Sequence, residues 1–402
     1  MLSQKSASIK SSAVRELLKY SKVPGIISLA GGIPATDLID VDGIDITIRE
    51  ILAKEHRNLF QYSVTEGEEN FRYQIANWIK DFNFKINPEN ILITNGSQQA
   101  IDLLNRVFLD KGDKVLVERP TYLAALQLFG YSDVEVVELD YTNDKLDLNS
   151  LEIVLKKGGV KMLYLTPNFA NPSGKTIDYE TRVGIIKLTH RHNVVIIEDD
   201  PYGFLRFSGE FIKSLFTIAQ EIYGENHNVC YMSSFSKIFS PGLRLGWTAI
   251  PSKFIQAVVV AKQALDLHTS TLNQNIAAHY IESGKLNTRL DLLKNTYKKR
   301  RDLLINSLNK YVGDELSFNV PQGGMFLWCH LRSNINAKIL LEESINENVI
   351  FVPGEVFFAH NPERNSLRLS YSMISSENSD SAAYRIFKSI SKLKSNKTVL
   401  SN

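Results

Sequence analysis

Short, unbroken runs of apolar residues recur along this chain and restrict the folds that it can adopt. There are seven such runs, most of them rich in Val, Ile and Leu, and longer stretches separate most of them. A strand without polar alternation is typically buried on both faces, as in a parallel sheet that is covered by helices. The predicted strands are ILIT (91–94), KVLVE (114–118), VEVVEL (134–139), KMLYL (161–165), VVIIE (194–198), VCYM (229–232) and LGWTAI (245–250).

The stretches between these strands have the periodicity of helices. SQQAIDLLNRVF (97–108), for example, places Ile101, Leu104 and Phe108 on one helical face. Strands that alternate with helices are typical of the α/β class. We therefore expect a large domain over residues 45–290, with a mainly parallel seven-stranded sheet that is covered by helices.

Two flanking regions predict a smaller α+β domain beside the large one. Residues 1–44 contain a short helical pattern, SSAVRELLKY. Residues 291–402 contain a long charged helical pattern and then the apolar runs GGMFLWCHL, NVIFVPG and SLRLSYS. We expect the N-terminal segment to fold back, so that both regions together form the small domain.

The composition excludes several classes of protein. The 402 residues are 44% hydrophobic and 22% charged, and the formal net charge of +2 does not indicate binding to nucleic acid or to a membrane surface. The N-terminus lacks the apolar core of a secretory signal, and no apolar run is long enough to span a bilayer. The two cysteines, Cys230 and Cys329, lie in apolar runs, so we expect a cytoplasmic protein without a disulfide scaffold.

Polar segments follow five of the predicted strands at their carboxyl ends. These segments are NGSQ, RPTY, TPNFANPSG, DDPYG and SSFSK. In an open parallel sheet the carboxyl ends share one edge, and ligands bind there. Gly and Pro residues are common wherever a strand ends, so they need no functional explanation. The many Asp, Tyr, Asn and Lys residues in these segments are not explained in this way. The sequence therefore predicts one crevice that collects these side chains.

Lys237 follows the strand VCYM directly and is a candidate nucleophile in this crevice. A lysine that is removed from water near other cations has a lowered pKa and attacks aldehydes. Roughly nine in ten lysines are solvated surface charges instead, so the residue alone carries little weight. Its neighbours change the interpretation, because Ser234, Ser236 and Arg244 offer donors that suit a phosphate.

Other residues of the crevice complete a recognisable set. The helix that opens at Ser97 and Gln98 offers free N–H groups to an anion. Asp199 is either a helix N-cap, or a partner of a nearby arginine, or the partner of a protonated ring nitrogen. Donors to an acidic ring hydroxyl and a stacking ring are also present, in Asn171, Tyr202 and Tyr122. Together these groups describe a site for pyridoxal 5′-phosphate (PLP).

The chain resembles the fold-type I PLP enzymes, specifically the class I and II aminotransferases. Within them it is most similar to the 2-aminoadipate branch, which includes kynurenine-type enzymes. The resemblance covers nearly the whole chain, and its motifs are specific in combination. They are SLAGGIP (28–34), QYSVTEG (61–67), TNGSQQA (94–100), PTY (120–122), NPSG (171–174), EDDPYG (198–203), SSFSKIFSPGLRLGW (233–247), DLHTSTLNQ (266–274) and LRLSYS (367–372).

The resemblance implies a role for each residue of the cofactor site. Lys237 bonds the cofactor aldehyde and shuttles a proton. Asp199, rather than Asp200, pairs with the ring nitrogen, because the family spacing D-x-x-Y fits Asp199 and Tyr202. Asn171 and Tyr202 bond the ring oxygen. The stacking ring is Tyr122, and the phosphate ligands are Ser97, Gln98, Ser234, Ser236 and Arg244.

The resemblance also implies a reaction and an assembly. The enzyme moves an amino group between an L-amino acid and a 2-oxo acid in a ping-pong reaction, with 2-oxoglutarate and glutamate as the expected partner pair. Amino donors are 2-aminoadipate, leucine-like or aromatic amino acids. Arg368 binds the substrate α-carboxylate, and Gly32 and Asn171 also contact the substrate. Tyr62 reaches the phosphate of the partner subunit's cofactor, which implies a homodimer, and no metal is expected.

Arg15 is a candidate for substrate selection. It lies in SSAVRELLKY, at the border of an apolar stripe formed by Val14, Leu17 and Leu18. A solvated surface arginine is the simpler interpretation by roughly four to one. The resemblance places this helix over the pocket mouth, where Arg15 would pair with a distal carboxylate and swing outward for apolar side chains.

One expectation follows from geometry alone. Arg244 precedes the strand at 245–250 instead of following it. To face the crevice, this strand must begin where the others end. We therefore expect it to be the one antiparallel strand of the sheet.

Three alternatives compete with this interpretation. The run Ser234-Phe235-Ser236-Lys237 also matches the S-x-x-K motif of penicillin-binding acyl enzymes, but no S-D-N or K-T-G completes it, and that motif needs a helix. An aminotransferase-like regulator would need an N-terminal DNA-binding domain, and the family match begins within about the first ten residues. A different PLP reaction, by a lyase, a decarboxylase or an acyl-CoA-condensing synthase, is excluded less firmly.

Overall fold

The structure is a computed structural model. It describes residues 13–20, 23–54, 57–142, 145–333 and 335–400. The α-helices are α1 (Ala13–Tyr20), α2 (Val41–Lys54), α3 (Glu69–Trp78), α4 (Ser97–Phe108), α5 (Leu123–Tyr131), α6 (Leu148–Lys157), α7 (Tyr179–Arg191), α8 (Leu215–Tyr223), α9 (Ser252–Asp266), α10 (Thr271–Glu282), α11 (Lys285–Tyr311), α12 (Ala337–Asn346) and α13 (Ser376–Leu400). The strands are β1 (Ile27–Ser28), β2 (Ile91–Thr94), β3 (Lys114–Glu118), β4 (Glu135–Leu139), β5 (Tyr141–Thr142), β6 (Lys145–Leu146), β7 (Val160–Leu165), β8 (Val195–Asp199), β9 (Val229–Ser234), β10 (Gly246–Ala249), β11 (Leu316–Phe318), β12 (Phe326–Leu331), β13 (Val349–Ile350), β14 (Val352–Pro353) and β15 (Ser366–Ser370).

The seven predicted strands form one sheet, in the order β2-β10-β9-β8-β7-β3-β4. All neighbouring pairs are parallel except those of β10, which is antiparallel to both β2 and β9. Gly246, the first residue of β10, lies opposite Ser234 and Thr94, the last residues of β9 and β2. Both the seven-stranded sheet and the antiparallel strand are therefore confirmed.

Alternate residues of each central strand enter two different apolar clusters. Leu116 of β3 packs into the larger cluster, whereas Val115 and Val117 pack into a second one on the opposite face of the sheet. All three side chains are fully buried. This two-sided burial explains why the sequence of these strands is a continuous apolar run instead of an alternating one.

Helix α4 confirms the helical pattern that was predicted for 97–108. Ile101 and Leu104 are buried against the sheet, and Phe108 contacts Phe254 of α9 with ring centroids 5.0 Å apart. Helix α1 confirms the short N-terminal helix, in which Leu17 is buried. The side chains of Val14, Arg15 and Leu18 lie outside the described residues.

A second sheet is built entirely from the C-terminal region. It is antiparallel, with the order β11-β12-β15-β14. The N-terminal strand β1 pairs with β13 in parallel, and the amide of Ser370 donates to the carbonyl of Leu29. The N-terminal segment therefore folds back onto the C-terminal region, as expected.

The division into domains stays a prediction. Helix α11 has 27 residues and crosses the predicted boundary at residue 290 without interruption.

Both cysteines are buried and free. Within the described ranges, every helix is too short or too polar to cross a bilayer.

The start of β10 packs directly against the turn that precedes α4. A Cβ atom built on Gly246 would lie 2.6 Å from the carbonyl carbon of Gly96 and 2.8 Å from the amide nitrogen of Ser97. Both neighbours are backbone atoms, so rotation of a side chain cannot relieve the overlap. Glycine at position 246 therefore lets the first turn of α4 lie beside Arg244, which precedes β10.

We expect Gly246→Ala to lower the free energy of unfolding by about 1–3 kcal/mol, because two backbone segments must separate. The matched control is Gly130→Ala in α5, where an added Cβ meets no described atom within 4 Å. This control should raise the stability by roughly 0.5–1 kcal/mol. The midpoint of urea unfolding measures both effects, and equal midpoints for Gly246→Ala and the wild type would contradict the close contact.

Candidate active site

A cavity of about 320 Å³ lies at the carboxyl edge of the seven-stranded sheet. The turns that follow β2, β3, β7, β8 and β9 all contribute side chains to its wall. Among the predicted site residues whose side chains are described, the structure brings together all except Tyr62. Those that line the cavity are Gly32, Ser97, Gln98, Tyr122, Asn171, Asp199, Tyr202, Ser234, Ser236, Lys237, Arg244 and Arg368.

Lys237 lies in the cavity wall and is partly buried. Its Nζ donates to the carbonyl oxygen of Gly32 at 2.8 Å, so the N-terminal segment crosses directly over the amine. Burial lowers the pKa of Lys237 to about 8, and the positive charges of Arg368 and Arg244 act in the same direction. The chain forms a turn from residue 235 to 239, and it does not form the helix that an S-x-x-K site needs.

Asp199 ends β8 and is fully buried. Its Oδ2 accepts a hydrogen bond from the hydroxyl of Tyr164 at 2.5 Å. In the described part of the chain its Oδ1 has no hydrogen-bond partner, and Asp199 neither caps a helix nor pairs with an arginine. Burial raises the pKa of this carboxyl to about 7. The cavity therefore contains one buried carboxylate oxygen that still lacks a donor.

Asp200, the next residue, differs from Asp199 because both of its carboxylate oxygens accept hydrogen bonds. Its Oδ1 accepts from the amide of Gly203 at 2.9 Å, and its Oδ2 accepts from Asn168 at 3.0 Å and Tyr231 at 3.2 Å. These bonds hold the turn after β8, and Asp200 does not line the cavity. Of the two adjacent aspartates, only Asp199 presents a free oxygen to a ligand.

Arg368 lies on β15 and is buried between two aromatic rings. Its guanidinium carbon is 4.2 Å from the ring centroid of Phe326 and 5.1 Å from that of Phe357. Its Nη1 donates to Oδ1 of Asn171 and its Nη2 to the carbonyl of Ala30, both at 2.7 Å. Its Nε has no acceptor, and no carboxylate pairs with it among the described residues. Burial lowers the pKa of Arg368 to about 10.

The opposite end of the cavity is formed by α4 and Arg244. Nη1 of Arg244 donates to Oγ of Ser236 at 3.4 Å, and Oγ of Ser234 accepts from the amide of Ser236 at 3.1 Å. A Cβ on Gly96 would lie 2.7 Å from Nη2 of Arg244, so the guanidinium lies against the start of α4. A helix N-terminus beside a guanidinium and hydroxyl groups favours a phosphate.

A partly buried network, which was not predicted from the sequence, holds this turn. Oδ2 of Asp266 accepts from Asn95 and from Gln99, both at 2.6 Å. The same carboxylate forms an ion pair of 2.7 Å with Lys262, whose side chain is completely buried. Asn95 and Gln99 are more than 160 residues away from Asp266 in the sequence, and no spacing in the sequence indicates that the two segments meet.

Aromatic and amide groups line the cavity between its two ends. Tyr122, Tyr202 and Asn171 all lie in the wall, and burial raises the pKa of both phenols, that of Tyr122 to about 12. Both tyrosines are therefore neutral near pH 7 and can donate hydrogen bonds. Phe357, which also lines the cavity, was not predicted from the sequence. Its carbonyl accepts a hydrogen bond from the amide of Thr121, and this bond holds Phe357 beside the segment that contains Tyr122.

The structure places Tyr62 outside the cavity. Its side chain is 79% exposed and makes an edge contact with His268, with ring centroids 5.8 Å apart. Tyr62 therefore does not line the cavity of its own chain. Arg15 lies in α1, and its side chain is outside the described residues.

Comparisons with known proteins agree with this geometry. The family model for class I and II aminotransferases matches residues 25–386. Aromatic-amino-acid aminotransferase 1 of Thermococcus litoralis is 38% identical over 93% of this chain and 90% of that protein. The structure of Pyrococcus horikoshii kynurenine aminotransferase in complex with PMP has a TM-score of 0.91 at 34% identity, over 98% of this chain and 97% of that one. The α-aminoadipate aminotransferase of Thermus thermophilus, complexed with N-(5′-phosphopyridoxyl)-L-leucine, has a TM-score of 0.90 at 35% identity, over 98% of each chain.

The fold and the cavity define a PLP-dependent enzyme of fold type I. The chain belongs to the class I and II aminotransferases. Its residues fit the cofactor, because the free Oδ1 of Asp199 can accept from a protonated ring nitrogen. At the other end, Arg244 and the start of α4 suit the phosphate. Family membership also excludes the penicillin-binding interpretation of Ser234 and Lys237.

The lowered pKa of Lys237 predicts how its reactivity depends on pH. Only the neutral amine attacks an aldehyde, so covalent labelling by pyridoxal should rise with pH and reach half its maximum near pH 8. A free lysine derivative, with a pKa of about 10.4, serves as control and should continue to react faster up to pH 10. Borohydride trapping and peptide mass spectrometry measure the label at Lys237. A profile that matches the free derivative would contradict the lowered pKa.

Proposed function

We propose that this enzyme transfers the amino group of an L-amino acid to a 2-oxo acid in two half-reactions, with 2-oxoglutarate and glutamate as the partner pair. The observation that carries the proposal is the pairing of two groups in one cavity. Arg368 is a buried cation without a carboxylate partner in the described residues, and it faces the same space as the amine of Lys237. One binds a carboxylate and the other exchanges amines, which together suit an α-amino acid.

The residues around the cavity hold the cofactor in our proposal. Asn171 and Tyr202 bond the ring oxygen, Tyr122 stacks on the ring, and Asp199 accepts from the ring nitrogen. The phosphate ligands are Ser97, Gln98, Ser234, Ser236 and Arg244. The bonds of Arg244 to Ser236 and the closeness of α4 support this assignment.

When bound, PLP supplies a ring that accepts electrons from the substrate Cα. Lys237 would take the proton from that carbon as general base and deliver it to carbon C4′ of the cofactor as general acid. A pKa near 8 suits both steps, because both forms of the amine are populated near neutral pH. Asp199, in its ionised form, keeps the proton on the ring nitrogen. Gly32, whose carbonyl accepts from Lys237, holds the free amine at the cavity wall.

The side chain of the substrate meets a mainly apolar wall in our proposal. Ile33, Ala124 and Phe357 are among the residues that line the cavity. The cations among the described lining residues are Lys237, Arg244 and Arg368, and each already has a function. Leucine-like and aromatic side chains therefore fit without a further partner. A distal carboxylate, as in 2-aminoadipate, needs one more cation, and Arg15 of α1 is our candidate.

We also propose a cytoplasmic homodimer. Tyr62 is largely exposed, and Phe60 and Val64 beside it are also exposed apolar residues. A side chain that completes the cavity of a second copy must lie outside its own cavity, and Tyr62 does so. In the dimer, Tyr62 would reach the phosphate of the cofactor in the partner subunit. The two free cysteines are consistent with a reducing compartment.

The proposed function predicts two separable half-reactions. An L-amino acid should convert bound PLP to its amine form without an oxo acid, and 2-oxoglutarate should then restore the original absorbance. Lys237→Ala should keep the cofactor through the phosphate ligands and should not turn over, because the proton carrier is absent. Stopped-flow absorbance measures both steps. Turnover of Lys237→Ala near that of the wild type would disprove the assignment.

The two arginines should differ in their effect on substrates. Every amino acid has an α-carboxylate, so Arg368→Ala should lower kcat/KM for leucine and for 2-aminoadipate alike, by about 2–4 kcal/mol of transition-state free energy. Arg15→Ala should cost about 1.5–3 kcal/mol for 2-aminoadipate and almost nothing for leucine. Steady-state kinetics with both substrates measure this. If Arg15→Ala lowered kcat/KM equally for both substrates, or for neither, Arg15 would be a solvated surface residue without a role in substrate selection.

A further inference from the structure

Tyr164 is a buried residue that belongs to none of the family motifs and does not line the cavity. It lies on β7 and is fully buried, and its hydroxyl donates to Oδ2 of Asp199. In the sheet register Tyr164 is opposite Ile197, so Asp199 is the next residue of β8 on the same face. Diagonal neighbours at this spacing are within reach of a long aromatic side chain. The contact is therefore set by the strands themselves.

The bond determines which oxygen of Asp199 is available to a ligand. Oδ2 is engaged by Tyr164 at 2.5 Å, whereas Oδ1 has no donor among the described residues. Rotation of the carboxylate would break the bond to Tyr164 and leave a buried hydroxyl unpaired, which is costly. Tyr164 therefore holds the free oxygen in one orientation.

The bond also affects the charge of Asp199. Burial raises the pKa of this carboxyl to about 7, and the hydrogen bond from Tyr164 acts in the opposite direction. Burial and the negative charge of Asp199 raise the pKa of Tyr164 well above its usual range, so the phenol stays a neutral donor. A cation in this place would pair with Asp199 and weaken its attraction for a second positive group, whereas a neutral donor leaves the negative charge available.

We propose that Tyr164 is a positioning residue of the transamination reaction, whose hydroxyl keeps Asp199 ionised and turns its Oδ1 toward the ring nitrogen of PLP. The inference rests on the proposed function of the cavity. Tyr164 does not line the cavity, so it acts only through Asp199.

A tyrosine in a purely structural role is the competing explanation, since Tyr164 also packs against Phe129, with ring centroids 5.8 Å apart. Tyr231 provides a matched control for this possibility. It is similarly buried on the nearby strand β9, and its hydroxyl donates to Asp200 at 3.2 Å. Asp200 does not line the cavity and has other donors. Tyr231→Phe therefore removes the same atom from the same kind of environment without touching Asp199.

The direct test is the protonation of the ring nitrogen in the complete enzyme. Wild type, Tyr164→Phe and Tyr231→Phe are loaded with PLP that carries nitrogen-15 in the ring, and the nitrogen chemical shift is measured at pH 7.5. We expect a protonated nitrogen in the wild type and in Tyr231→Phe. In Tyr164→Phe the shift should move toward the unprotonated value, because Asp199 loses the donor that keeps it ionised.

Kinetics give a second readout on the same variants. Tyr164→Phe should lower kcat roughly 10-fold to 100-fold, the range expected for one hydrogen bond to a charged group. The KM of the amino acid should change by less than about 3-fold, since Arg368 is untouched. Replacement of Tyr164 by 4-aminophenylalanine, which retains a donor in the same shape, should recover part of both effects. This variant also keeps the test decisive if loss of the hydroxyl impairs folding.

The outcomes separate the alternatives. A nitrogen shift in Tyr164→Phe that equals that of the wild type would overturn the inference, even if activity fell. Equal losses in Tyr164→Phe and Tyr231→Phe, together with equal falls in the unfolding midpoint, would show a packing role and overturn it too. A wild type that binds PLP but lacks both half-reactions would contradict the proposed function instead, and it would remove the basis of the inference.

Discussion

The burial of charged side chains at the carboxyl edge of the seven-stranded sheet is the constraint on which this site depends. Asp199 and Arg368 are buried and Lys237 is partly buried, and burial moves the pKa of each toward neutrality. Such groups are costly to bury without partners. Here the partners are incomplete, because Asp199 and Arg368 each keep an unpaired polar atom within the described structure. In our proposal the cofactor pairs with Asp199 and the substrate with Arg368, so that ligand binding offsets the free-energy cost of these unpaired buried atoms.

The topology of the sheet makes this concentration of charge possible. Strands β8 and β9 are neighbours, so that Asp199 at the end of β8 and Lys237 just after β9 lie at the same edge of the sheet. Strand β10 runs in the opposite direction, so Arg244 arrives at the same edge by preceding its strand. The contact between Gly246 and Gly96 then brings the start of α4 against Arg244. The groups that we propose to bind the ring nitrogen and the phosphate thus lie at one edge of a single sheet.

Much of this arrangement could be predicted from the sequence. Continuous apolar runs identify strands that are buried on both faces, and the polar residues that follow them identify the edge. The antiparallel direction of β10 followed from the position of Arg244 alone. The bonds that join Tyr164 to Asp199, Asn95 to Asp266 and Thr121 to Phe357 could not be predicted in this way. They depend on contacts between residues that are distant in sequence, and a tyrosine inside an apolar strand looks the same whether it packs or donates to a carboxylate. The division into domains and the functions of Tyr62 and Arg15 stay predictions, because they concern boundaries, a second copy and a side chain outside the described residues.

A crystal structure of the enzyme with PLP bound would test the central claim most directly. The account predicts that the ring nitrogen lies within about 2.6–3.0 Å of Oδ1 of Asp199, while Oδ2 keeps its bond to Tyr164. It also predicts that the phosphate contacts Arg244 and the first N–H groups of α4. A ring nitrogen that faces Asp200 or solvent, or a phosphate that lies away from α4, would contradict the account.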